Sequence, residues 1–253
     1  MNFEHILEHH LMDHRFRHLL LGGVDFGLSA HLVMLWIVCA IVTAALSFAA
    51  RSRSSAGRVL RGAVEAVALY FRDEVLHSIF HEHTDAYLPY FLTLFFFILT
   101  CNLVGLVPGA HAVTANITVT AALAACTFLL IQFAGVKEQG PISYVKHIVP
   151  GGVPIALWPV LFGIEVFGML AKCISLSIRL FANIIAGHIV SLAFLSLIFI
   201  FAEASKAVGL VVAPAAVGLA LFVYAMDVLV AFLQAYIFTM LTALFVGGAV
   251  HPH

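Results

Sequence analysis

Charge is scarce in this chain. Asp, Glu, Lys and Arg make up 10% of its 253 residues, where a soluble domain carries roughly a quarter. With 63% hydrophobic residues, the composition excludes an ordinary soluble domain and requires a membrane protein. There is no excess of either sign: 12 Lys and Arg stand against 13 Asp and Glu, which argues against nucleic acid or an extended anionic surface as the main partner. No glycine-rich Walker loop is present, so no nucleotide site is expected. The ten-residue alternating segments of a membrane β-barrel are missing too, so the spanning elements must be helices. Cys39, Cys101, Cys126 and Cys173 form no CxxC pair and sit in apolar stretches, where a thiol packs as a small hydrophobe. Although there are 14 histidines, only His188 lies deep within an apolar run. A haem-carrying redox subunit would need axial pairs there.

What is present is a series of long apolar runs. A helical crossing needs about 20 apolar residues, and the pattern predicts five, over residues 27–50, 86–107, 113–135, 155–202 and 207–248. The expected fold is an all-α membrane protein with one transmembrane domain over residues 27–253, preceded by an extracytoplasmic segment, 1–26. That segment, MNFEHILEHHLMDHRFRH onward, mixes acids, histidines and arginines before any apolar run, the wrong order for a cleavable signal, and reads as a mature end. Residues 58–81 carry Arg58, Arg61, Glu65, Arg72 and His81 at helical spacing among apolar residues, the pattern of an amphipathic helix lying in the interface. Pro108 and Gly109 break the chain after the second run, and Gly140, Pro141, Pro150, Gly151, Gly152 and Pro154 punctuate a surface link with a short amphipathic piece.

The last two runs form a hairpin turning at Glu203 to Lys206, with Gly209 and Pro214 beyond. Arms of roughly 40 residues extend about 60 Å, twice the hydrocarbon thickness, so they must be broken or strongly tilted. Arg51, Arg53, Arg58, Arg61 and Arg72 follow the first crossing, while the loop after the second has no Lys or Arg. The positive-inside rule makes the arginine side cytoplasmic. The N-terminus and the Glu203/Lys206 turn are then outside, with the C-terminus inside.

Function must rest on the few charges within these runs, because an Arg, Lys or Asp at mid-bilayer costs at least about 2.5 to 3.5 kcal/mol. At 100° per residue Glu165, Lys172, Ser175, Arg179 and Asn183 fall within about 80° of arc, one polar stripe that must face protein or water. His188, nine residues after Arg179, points about 180° away toward a different cavity. Asp227 and Gln234, seven apart, share a face of the last helix, so a hairpin partner can bring Asp227 toward His188. An acid and an imidazole together pass a proton at neutral pH.

The string LSIRLFANIIAGHI (Leu176 to Ile189), with Glu165 and Lys172 before it and DVLVAFLQAYIFT (Asp227 to Thr239) after it, resembles the signature of subunit a of the F-type ATP synthase. The resemblance extends to NLVGLVPG (Asn102 to Gly109) and to the five-run profile. It implies a proton-conducting stator with two offset half-channels and two long, tilted helices against a rotating c-ring. Its partners would be that ring, the peripheral-stalk b subunits, the remaining synthase subunits and membrane lipid. No cofactor, metal or catalysis of its own is implied.

Arg179 matches the family's essential arginine. A guanidinium keeps its proton at any working pH, so it can attract a deprotonated ring carboxylate while separating the half-channels. Asn183, Gln234, Glu165 and Lys172 match polar residues of the channel region, and His188 with Asp227 match the outer-side proton pair. Many bacterial members carry the acid first and the histidine second. Here the order is that of mitochondrial members, with Asp in place of Glu. Gly105 stands where some bacterial members have a carboxylate. The expected location is a bacterial inner membrane, with the mitochondrial inner membrane as the alternative.

Simpler readings stand beside these. Arg179 could form a structural ion pair with Glu165 or Asp227, His188 could bond a backbone carbonyl, Lys172 could neutralise Glu165 or reach an interface, and Asn102 could close a helix end. His5, His9, His10, His14 and His18 have i, i+4 spacing suited to zinc but no accompanying constellation, and with His81 to His83 read as a solvated or interfacial face. A self-contained proton or ion antiporter is the alternative function; the lack of an internal repeat counts against it.

Overall fold

The computed structural model describes residues 15–17, 20–21, 24–25, 28–52, 54–107, 112–147, 154 and 157–250. His5, His9, His10, His14, His18, Arg53, Pro108, Gly109, Pro150, Gly151 and Gly152 lie outside the described residues. The architecture is that of an all-α membrane protein. Ahead of the helices, β1 (Arg15–Arg17) pairs with β4 (Leu28–Ser29) and β2 (Leu20–Leu21) with β3 (Val24–Asp25), both antiparallel.

Among the described residues, five helices are long and apolar enough to cross a membrane. They are α1 (Ala30–Arg51), α4 (Thr84–Gly105), α5 (Ile117–Gln139), α7 (Trp158–Ala204) and α8 (Lys206–Val250). Between α1 and α4 run α2 (Ser55–Tyr70), a π-helical turn (Phe71–Leu76) and α3 (His77–Phe80). The short α6 (Pro141–His147) follows α5. The third long helix starts at Ile117 because Val113–Ala115 is a 3-10 turn. Gly140, at φ +80°, takes the left-handed conformation that ends α5, and Pro141, whose missing N–H costs nothing in a first turn, opens α6.

The two last arms are uninterrupted. α7 has 47 residues and α8 has 45, with Pro214 accommodated inside α8. Of the two ways to fit overlong arms into a bilayer, a break is not the one used. Ser205 alone separates them, and its N–H still reaches Phe201 O at 3.2 Å. A Cβ on Gly209 would sit 2.7 Å from Ala202 Cβ, so the turn closes with backbone against backbone.

The chain forms two compact units. One comprises residues up to Thr43, Phe97–Asn116 and Leu180–Gln234; the other comprises Ala44–Phe96, Ile117–Arg179 and Ala235–His253. In the second unit the core gathers around the π-helical turn. Phe71 is buried, with its ring 5.1 Å from Phe95 and 5.9 Å from Tyr236, and Tyr70 and Tyr236 share a hydroxyl hydrogen bond of 3.1 Å. Ser54 caps α2 by accepting from Gly57 N, and Arg61 donates to Ala50 O at the end of α1. Arg72 bonds Asp85 at 3.0 Å across the start of α4. In the same unit Tyr144 of α6 is buried and donates to Gln132 Oε1 at 2.9 Å, while Gln139 Nε2 donates to Ala249 O at 2.5 Å.

Candidate functional site: charged and polar groups on the two long helices

α7 divides lengthwise into faces. Cys173, Leu176, Ser177, Leu180 and Ile184 are buried, an i, i+3, i+4, i+7, i+11 series that packs inward. Roughly opposite, Phe167, Leu170, Ala171, Ile174, Ser175, Ile178 and Arg179 line an open hollow of about 510 Å³. Small residues at Ala171 and Ser175 make the hollow possible, and large exposed apolar side chains rim it. Arg179, half-buried, stands at one end.

The polar stripe overlaps the hollow at Ser175 and Arg179. Glu165, Arg179 and Asn183 are half-buried, whereas Lys172 and Ser175 are exposed. Lys172 does not neutralise Glu165; its ammonium lies 5.2 Å from the Phe245 ring centroid, a cation–π contact with α8. Of the ion pairs among the described residues, Arg61–Glu65 and Arg72–Asp85, neither involves the stripe. The Arg179–Glu165 structural pair weighed from the sequence is therefore not formed.

In the other unit, α7 and α8 meet at Gly187. A Cβ there would lie 2.7 Å from Asp227 Oδ2 and 2.8 Å from its Cγ and Oδ1. The missing side chain is what lets the carboxylate approach the α7 backbone next to His188, within electrostatic reach of the imidazole. Both residues are half-buried. One face of α8 carries Tyr224, Asp227, Ala231 and Gln234 within about 80° of arc. Two of these positions are anchored to the end of α4 and the residue just beyond it. Tyr224 donates to Leu106 O at 2.6 Å, and Asn102 Nδ2 donates to Ala231 O at 3.4 Å. Asn102 also accepts from Thr114 Oγ1 at 3.2 Å, so it closes the turn after α4 as its position suggested and additionally ties that turn to α8. Gln234 is 5% exposed, and its Nε2 makes no hydrogen bond among the described residues.

Sequence reasoning missed Gly187 and the Asn102–Ala231 tie. The AGH string contained the glycine, but nothing in the string says that a carboxylate forty residues later approaches it.

The family model for the ATP synthase A chain matches residues 32–247. The chain belongs to that family. Relatives named ATP synthase subunit a agree with it. The protein of Chloroherpeton thalassium is 39% identical over 234 residues, which cover 90% of this chain and 68% of the relative. That of Myxococcus xanthus is 40% identical over 240 residues, or 92% and 77%. That of an Anaeromyxobacter species is 41% identical over 239 residues, or 93% and 57%. The chain thus spans between 57% and 77% of the length of these relatives. Family membership and the five long apolar helices together make this a multi-pass membrane protein of the ATP synthase type.

Proposed function

We propose that this chain is the proton-translocating stator subunit of a rotary ATP synthase, set in a bacterial inner membrane with the N-terminus outside and the C-terminus cytoplasmic. Protons reach the His188/Asp227 pair from outside and load a carboxylate of the c-ring. The ring turns through lipid and unloads on the far side of Arg179. The driving force is about 2.3 kcal/mol per charge per 100 mV, plus the pH term. Asn183, Gln234, Glu165 and Lys172 line the polar paths on either side. The charged stretch from α2 to α3 lies along the interface, and peripheral-stalk b subunits complete the stator.

The observation that carries this reading is a polar site in each of the two compact units. Arg179 stands at the end of an open, apolar-rimmed hollow, outside every ion pair noted above. In the other unit His188 follows Gly187, which the Asp227 carboxylate approaches closely. A fixed positive charge facing a partner surface attracts a ring carboxylate from that surface and repels a free proton. An acid–imidazole pair in the other unit can pass a proton on. The buried amide of Gln234 fits a polar route through an apolar interior, where such a donor is costly unless partnered.

The test is ATP-driven acidification of inverted membrane vesicles carrying Arg179→Ala, with assembly verified by co-purification of the other subunits. Pumping should vanish in the assembled complex. Normal pumping would overturn the gate assigned to Arg179.

A further inference from the structure

Two residues before Arg179, on the buried face of α7, Ser177 is 5% exposed and donates from Oγ to Thr120 Oγ1 at 3.1 Å. Thr120 is fully buried in the first turns of α5, and its single hydroxyl proton goes to Ile117 O at 3.1 Å. That leaves its oxygen as acceptor, so the two bonds fix one another's direction. Around them the α7 face is apolar, with Cys173 and Leu176 buried. Apolar burial is non-directional as a driving force, so it does not by itself select one rotation of a helix about its axis. A hydroxyl pair is directional, and where water cannot replace a lost partner it resists rotation strongly.

We propose that the Ser177–Thr120 hydrogen bond sets the rotation of α7 about its own axis and thereby holds Arg179 at the hollow; the two hydroxyl residues are positioning residues for the arginine. The inference rests on the reading of Arg179 given above. Ser177 and Arg179 are two residues apart, about 200° around the helix, so a pin at the back dictates where the guanidinium points at the front. At a radius of about 6 Å, a 10° rotation moves a side chain by about 1 Å. A misplacement of that size can cost about 100-fold in rate.

The experiment measures pumping per assembled complex in inverted vesicles for Ser177→Ala, Thr120→Val and the double variant. Thr120→Ser and Ser177→Thr, which keep both hydroxyls, accompany them. Each hydroxyl deletion should lower the rate per complex between about tenfold and 100-fold. The double variant should be no worse than either single one, and the conservative variants should restore most of the rate. Single-variant rates within twofold of the unsubstituted complex would overturn the proposal, as would additive losses. Loss of assembly in the deletions but not in the conservative variants would also overturn it, since the pair would then be a folding contact. Arg179→Ala in parallel separates the two ideas. If it pumps normally, the function of Arg179 falls; if it is dead while the hydroxyl deletions pump normally, only the positioning role falls.

Discussion

Replacing Gly187 with alanine tests the proposed proton pair, His188 and Asp227, at one atom. The new Cβ would meet the Asp227 carboxylate at 2.7 to 2.8 Å. Restoring ordinary contact at 3.4 Å requires the carboxylate to retreat by roughly 0.7 Å, and since 1 Å can cost about 100-fold, the pumping rate should fall at least about tenfold. The atoms that must move end a short side chain with two free torsions, so the stability cost should be at the low end of the overpacking range, about 1 kcal/mol. The complex should therefore assemble and fail to pump well. The assay is ATP-driven acidification of inverted vesicles, normalised to co-purified subunits, beside Asp227→Asn as the full loss. Pumping within twofold of the unsubstituted complex would show that the close approach at Gly187 does not set the geometry of proton transfer.

Exchanging the pair, His188→Asp with Asp227→His, should recover more pumping than either single change, because the chemistry belongs to the pair; a double variant no better than the worse single one would refute this. Asn102→Leu removes the donor to Ala231 O and the acceptor for Thr114, and should lower the stability of the extracted complex by about 1 to 3 kcal/mol, read from its thermal transition; an unchanged transition would dismiss the tie. Burial raises the Tyr144 phenol above its ordinary 10.0. A raised folded-state pKa adds stability that is fully present below about pH 10 and is lost as pH rises through the raised value. Proteolysis near α6 should thus begin only above that range and track tyrosinate absorbance, and Tyr144→Phe should abolish the pH dependence.

The five long helices were legible because each apolar run is continuous and long enough to declare itself, and the stripe from Glu165 to Asn183 because helical spacing fixes which residues share a face. A helix through Arg58, Arg61 and Glu65 could be read from their spacing, yet the π-helical turn at Phe71–Leu76 could not. That turn accompanies a cluster with Phe95 and Tyr236, rings far away in sequence. Ser177 bonding Thr120, Asn102 bonding Ala231 and Asp227 against Gly187 were hidden for the same reason. Each depends on the register between two helices, and the residues that set register are small or neutral ones that composition does not single out. Lys172 shows the converse: its charge made it conspicuous, but only the fold supplies Phe245 as its partner.

The tight turn at Ser205 has a reach well beyond its own residues. Gly209 against Ala202 removes axial slack where α7 and α8 join, and a helix is stiff along its length. From Ala202 back to Gly187 is 15 residues, about 22 Å. The turn therefore acts as the zero mark of a ruler. A bulkier residue at Gly209 would slide one arm along the other and carry Asp227 past His188 without touching either, so the proposed proton uptake would fail some 22 Å from the change.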